Sequence, residues 1–190
     1  MEELLSQIRA CRLCEKRLPH GPRPVIQANR ESRILIIGQA PGRHVHESGI
    51  PWNDPSGVTL RKWLGVDDED FYDPKKIAHM PMGFCYPGKA KNGDLPPQAQ
   101  CAETWHDKLE SEFDFVRLRL IIGAYAQKRY LVNFRSVTQA VKSWKDYGPE
   151  LFPLPHPSPL NRRWLKTNPW FESEVLPALR RAVRTALSEP

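Results

Sequence analysis

The sequence predicts an α/β fold, a four-stranded parallel sheet covered by helices on both faces. Three observations predict it. Strand-like and helix-like segments alternate four times along the 190 residues, the order that builds parallel sheets. The run 34–37, Ile-Leu-Ile-Ile, is apolar without alternation, as a strand with no solvent on either face must be. The strands lead into loops rich in Gly, Pro and His, and right-handed crossovers bring such loops to one edge of a sheet. Functional residues are therefore expected to meet at that edge, where open α/β folds hold their ligands.

The elements follow in chain order. Leu4, Leu5, Ile8 and Cys11 recur at helical spacing and predict a short amphipathic helix over 2–11. Residues 18–30 are polar, contain Pro and read as a loop. The first strand spans 33–38 and stops at Gly38, with Pro41-Gly42 close behind. Gly38 and Gly42 let the backbone approach a ligand closely, and Gln39 adds an amide that both donates and accepts. Residues 40–55 lack a helical period and carry two His and two Gly, so a long loop is expected. A short helix over 57–64 and a strand over 76–82 follow, the strand ending near Pro81 and Gly83. Residues 86–97 read as loop and 98–113 as helix. Leu118, Leu120, Ile121 and Ile122 make 117–123 a strong strand, followed by helices over 124–131 and 136–145. A short strand over 151–154 leads into a loop over 156–163. Val175, Leu176, Leu179, Val183 and Leu187 line one face of a C-terminal helix over 172–187.

One domain is the expectation for 190 residues, and a chain of that size buries a core without disulfides. No run approaches a membrane span. The N-terminus, Met-Glu-Glu-Leu-Leu, has neither a basic n-region nor an apolar h-region, so a cytoplasmic protein is expected. A monomer is expected as well. The formal net charge of +6 and pI near 9.3 favour a polyanionic partner.

The four cysteines are Cys11, Cys14, Cys85 and Cys101. Cys11 and Cys14 form a Cys-x2-Cys pair, which lets two thiolates reach one metal centre from a single turn. Two more complete a four-sulfur set that suits zinc or an iron–sulfur cluster. Buried inert thiols and a redox pair are the other readings. A redox pair normally follows a strand, whereas this one ends a helix.

His156 lies between two prolines in Leu154 to Trp164, a rigid setting of the kind a catalytic imidazole needs. Gly38-Gln39-Ala40-Pro41-Gly42, followed by His156-Pro157-Ser158-Pro159-Leu160-Asn161, resembles the two signature motifs of the uracil-DNA glycosylase superfamily. The cysteine spacing resembles its iron–sulfur-containing, family 4-type branch. Trp52-Asn53-Asp54-Pro55-Ser56-Gly57 and Gly83-Phe84-Cys85-Tyr86-Pro87-Gly88 resemble relatives outside the best-studied members.

The resemblance implies a three-layer α/β/α fold and a flipped-out base at the carboxyl edge of the sheet. It implies that Cys11, Cys14, Cys85 and Cys101 hold a [4Fe–4S] cluster, with zinc as the alternative. His156 would stabilise charge on the pyrimidine O2 as the glycosidic bond breaks. Trp52 stands where the family stacks a Phe on the base. Gln39 and the turn Gly38, Ala40, Pro41 and Gly42 would meet the base or the attacking water. Leu160 fits the wedge position that fills the vacated stack. Ser158, Asn161, Arg162 and Arg163 lie where phosphates are held, and Lys89 and Lys91 are further candidates for backbone contact. Ala40 replaces the Asp that orients water in the most efficient members, and Gln39 stands where the iron–sulfur branch usually has an acid. Asp54 is the first substitute, with Glu47, His46 and His44 in the same loop. The Asn that reads the uracil edge falls near Pro81, leaving His79 or Asn92 as candidates.

The expected activity is excision of uracil, or another deaminated base, from DNA by a monofunctional glycosylase in base-excision repair. The alternatives are a glycosylase for hypoxanthine or xanthine, and a protein of this fold that binds a lesion or a single strand without cutting.

Overall fold

A computed structural model describes residues 1–188. Its centre is a four-stranded parallel sheet in the order β2-β1-β3-β4. The strands are β1 (Ile34–Ile37), β2 (Ile77–His79), β3 (Leu118–Ile122) and β4 (Leu151–Leu154). In register, Ile34 pairs with both Ile77 and Leu118, and Ile122 pairs with Leu154. All four residues of β1 are fully buried, which explains the unbroken apolar run.

Side-chain alternation divides the interior into two cores. Ile34 and Ile36 point to the side of Leu60, Trp63, Phe71, Phe171 and Leu179. These come from α3 (Pro55–Leu64), α4 (Asp68–Tyr72), α9 (Leu176–Ser188) and the turn before α9. Leu35 and Ile37 point the other way, onto Leu5, Ile8, Trp105, Leu109 and Ala126. Those belong to α1 (Glu2–Arg9), α5 (Ala99–Glu110) and α6 (Gly123–Tyr130). The result is the expected three-layer α/β/α arrangement.

The chain leaves β1 toward β2 on one side and returns to place β3 on the other. The strand order therefore reverses beside β1, and open sheets bind their ligands outside the carboxyl ends at such a reversal. Hydrogen bonding continues past the strand ends there. Met82 N–H donates to the Gly38 carbonyl and Gly83 N–H to the Gln39 carbonyl, both at 3.0 Å. The two loops are thus zipped together at the sheet edge.

Several boundaries differ from expectation. Residues 40–55 are not all loop, because α2 (Arg43–Ser48) forms within them. It buries only Val45, so it writes no apolar stripe; an Arg43–Glu47 ion pair and a left-handed Gly49 cap define it instead. Helix α3 starts at Pro55 rather than 57, with Asp54 as N-cap and Pro at its first position. The loop after β4 gives way to α8 (Arg162–Thr167), which buries no residue and so carried no periodic signal. The C-terminal helix opens with a π-turn over Phe171–Val175, and α9 proper begins at Leu176. Pro177 lacks an N–H, in keeping with the change of hydrogen-bond pattern there. Helix α7 (Val137–Lys142) is shorter than 136–145 and passes into a 3-10 turn over Trp144–Tyr147.

Candidate active site

The three loops anticipated at the carboxyl edge do converge. A cleft of about 500 Å³ is bordered by Gly38, Gln39, Ala40, Pro41, Gly42, Trp52 and Asp54 from the first loop. The loop after β2 contributes Pro81, Asn92, Asp94 and Leu95, and the loop after β4 contributes His156, Ser158, Leu160 and Asn161. Gln39, Asp54, Trp52, His156, Ser158, Leu160, Asn161 and the Gly38 to Gly42 turn therefore border one cavity.

His156 is set by its own loop. The Ser158 N–H donates to His156 Nδ1 at 3.2 Å, and the Asn161 side-chain amide donates to the His156 carbonyl at 2.7 Å. Nδ1 is thereby an acceptor, so the neutral ring carries its hydrogen on Nε2. Burial lowers the His156 pKa, offset in part by the Asp54 carboxylate. The ring is held as a neutral donor rather than an imidazolium. Gly123, with φ +81°, lies across from it, and a Cβ there would come within 3.7 Å of His156 Cβ.

Trp52 faces His156, with ring centroids 5.9 Å apart and planes 35° from parallel. Its backbone is strained, since φ is 56° in a residue that is not glycine. Two glycines accommodate it. A Cβ on Gly38 would lie 2.8 Å from the indole, and one on Gly57 would lie 1.7 Å from the Trp52 carbonyl oxygen. Asp54 closes the same turn, its Oδ1 accepting the Gly57 N–H at 2.8 Å. One carboxylate oxygen of Asp54 is thus spent on capping and the other, Oδ2, faces Gly42.

Leu160 is 80% exposed at the rim, an unusual position for a large apolar side chain. The exposed cations Arg162 and Arg163 follow it after Asn161, and Lys89 and Lys91 stand exposed on the loop after β2. The Ser158 hydroxyl oxygen accepts the Leu160 N–H at 3.2 Å and so caps the turn that presents the leucine.

Both candidates for reading the base edge border the cleft. His79 ends β2, is fully buried, and has Nε2 at 3.0 Å from the Phe71 carbonyl and no partner on Nδ1. Burial pushes its pKa down to about 4. The alternative bases are placed differently. His44, His46 and Glu47 sit on α2 and do not border the cleft. His44 and Glu47 pair at the surface, and His46 packs against His20 and Tyr86.

Asp94 and Leu95 escaped sequence reasoning. They lie on a tight hairpin, closed by the Lys89–Asp94 bridge and by the Leu95 N–H donating to the Gly88 carbonyl at 2.8 Å. Gly88 and Gly93, both with positive φ, were the available signal.

The cysteines gather at a second, smaller pocket. Cys11, Cys14, Cys85 and Cys101 all border one small pocket, closed by Leu18, Pro24 and Phe84. All four are free thiols. Burial raises Cys85 to about 11 and Cys101 to about 12, and the neighbouring thiols add to both shifts. The Phe84 N–H donates to Cys101 Sγ at 3.3 Å. Among the described residues, no three His, Cys, Asp or Glu side chains converge on a single-ion position.

The fold, the loop motifs and the cleft agree with a comparison against family models. The model described as the uracil DNA glycosylase superfamily matches residues 25–180, so the chain belongs to that superfamily of DNA glycosylases.

Proposed function

We propose that the protein is a monofunctional glycosylase that removes uracil, or another deaminated base, from DNA in base-excision repair. The observation that carries this reading is His156, a neutral imidazole whose Nδ1 is occupied by the Ser158 N–H in a cleft it shares with Trp52. Breaking the bond between C1′ and the base nitrogen leaves the bonding electrons on the base. That charge collects on the carbonyl oxygen next to the breaking bond. The Nε2–H of His156 donates to it, an interaction strongest when the charge has developed. Trp52 offers a flat apolar face to the base. Leu160 occupies the gap the base leaves, offsetting an extrusion cost of a few kcal/mol. Arg162, Arg163, Lys89 and Lys91 neutralise phosphates on either side.

The four-thiol pocket fits a [4Fe–4S] cluster. Burial that raises Cys85 and Cys101 keeps those two protonated unless a metal cation stands beside them. Zinc, which takes four sulfurs at about 2.3 Å, is the alternative. A cluster gives each cysteine its own iron and tolerates wider spacing. Cys11 and Cys14 would tie the end of α1 to Cys85 and to α5 at Cys101, a structural role.

Base release from oligonucleotides carrying a single uracil, hypoxanthine or xanthine tests the reading. Release of one of these bases is expected. Tight DNA binding with no release from any of them would instead support the binding-only alternative.

A further inference from the structure

We propose that Asp94 is a catalytic residue and that, together with Asp54, it holds the attacking water over Gly42. This rests on the glycosylase reading above.

Ala40 supplies no carboxylate from the first motif, so the water needs another holder. Asp54 and Asp94 reach the cleft from different loops. Each has one oxygen engaged. Asp54 Oδ1 caps α3 through the Gly57 N–H, and the Tyr86 hydroxyl lies 3.5 Å from Asp94 Oδ1. The second oxygens face the same space. Asp94 Oδ2 lies 3.6 Å, and Asp54 Oδ2 3.8 Å, from the point a Cβ on Gly42 would occupy. Apart from Gly42 and its chain neighbours, no other heavy atom of the described residues lies within 4 Å of that point.

The point opens into the cleft of about 500 Å³, and two acceptors border it. A water beside that point, nearer the two oxygens than a methyl carbon on Gly42 would be, donates one hydrogen to each carboxylate, which leaves its lone pairs directed away from both. In the reaction the water oxygen bonds to C1′ as the bond from C1′ to the base breaks. The electron pair leaves on the base, beside His156, and the water proton passes to a carboxylate of the pair. The products are the free base and an abasic sugar with a C1′ hydroxyl.

The surroundings favour Asp94 as proton acceptor. Burial raises its pKa and the Asp54 carboxylate adds to the rise, against the Tyr86 hydroxyl and Lys89, which lower it. The hairpin that carries Asp94 is fixed by backbone hydrogen bonds, including the Ala90 N–H to the Gly93 carbonyl at 3.0 Å.

Single-turnover base release and DNA affinity are measured side by side for wild type, Asp94→Asn and Gly42→Ala. Gly42 has φ −79°, which alanine adopts freely, and the added methyl meets neither carboxylate closer than 3.6 Å. It crowds a water held beside the two acid oxygens and leaves both acids in place. Each variant is expected to lose about 10²-fold or more in rate with DNA affinity within about threefold of wild type. Asp54→Asn removes the like charge, so the acid limb of the rate profile moves to lower pH. The double variant Asp54→Asn/Asp94→Asn is expected to be little slower than the worse single one, because the two act as a unit. An Asp94→Asn variant that releases base at the wild-type rate overturns the assignment while leaving the glycosylase reading intact. A folded wild type silent on every substrate overturns both.

Discussion

Gly57→Ala separates the positioning of the site from its chemistry. The new Cβ would sit 1.7 Å from the Trp52 carbonyl oxygen and 2.7 Å from its carbon, where real Cβ atoms keep at least 3.0 Å. The oxygen must therefore retreat by about 1.3 Å, and the obstacle is backbone rather than a flexible tip. Trp52 is already at φ 56°, so the turn has little freedom to absorb the movement. Overpacking of this kind costs about 1–3 kcal/mol, and the upper end is expected here, a fall in Tm of roughly 6–12 °C for a chain of this size. Displacement of Trp52 by about 1 Å is expected to lower single-turnover base release by about 10²-fold. Gly38→Ala provides the graded comparison, because its Cβ meets only the indole, at 2.8 Å. It should tilt the ring, with a smaller loss of stability. Differential scanning fluorimetry and quenched-flow base release measure both effects. A Gly57→Ala protein with wild-type Tm and wild-type rate would refute the claim that this turn fixes the tryptophan.

Other consequences follow from the same structure. His79 and His106 are buried with pKa values near 4 against 6.5 when unfolded; protonation therefore favours the unfolded chain. Their stability contribution is complete above about pH 6.5 and is lost as pH falls toward 4, about 3 kcal/mol for each; denaturant midpoints that stay flat across that window would contradict it. Protein purified without oxygen is expected to be brown, with about four irons and four sulfides per chain, and Cys101→Ser should bleach it and lower its stability. Stoichiometric zinc without colour would replace the cluster by the alternative. Leu160→Ala should slow release from duplex DNA about tenfold and leave single-stranded substrate nearly unchanged, because only the duplex has a stack to refill. Replacing Arg162 and Arg163 by Ala should reduce the slope of log affinity against log salt by about two.

The sheet was legible because burial on both faces leaves an apolar run that no helix of that length imitates. Ile34 to Ile37 announced β1, and the sequence motifs around Gly38 and His156 located the cleft. What stayed hidden has a common physical cause. Helices α2 and α8 bury one residue and none, so they leave no period to detect. Asp94 reaches the cleft through a hairpin whose path depends on Gly88 and Gly93 rather than on an apolar pattern. The strain at Trp52 was invisible for a related reason, since the turn that holds it is possible only because Gly57 has no Cβ beside the Trp52 carbonyl oxygen. His44, His46 and Glu47 stood behind Asp54 as substitutes in a supposed loop, and the turn of α2 carries them away from the cleft.

The most direct test is base release from a labelled oligonucleotide with one uracil opposite G, opposite A or unpaired, using wild type and His156→Ala together. Wild type is expected to release uracil, and His156→Ala to bind the same DNA while losing about 10²–10³-fold in rate, the usual cost of one donor to a developing oxyanion. Equal rates from the two proteins would contradict the role given to His156.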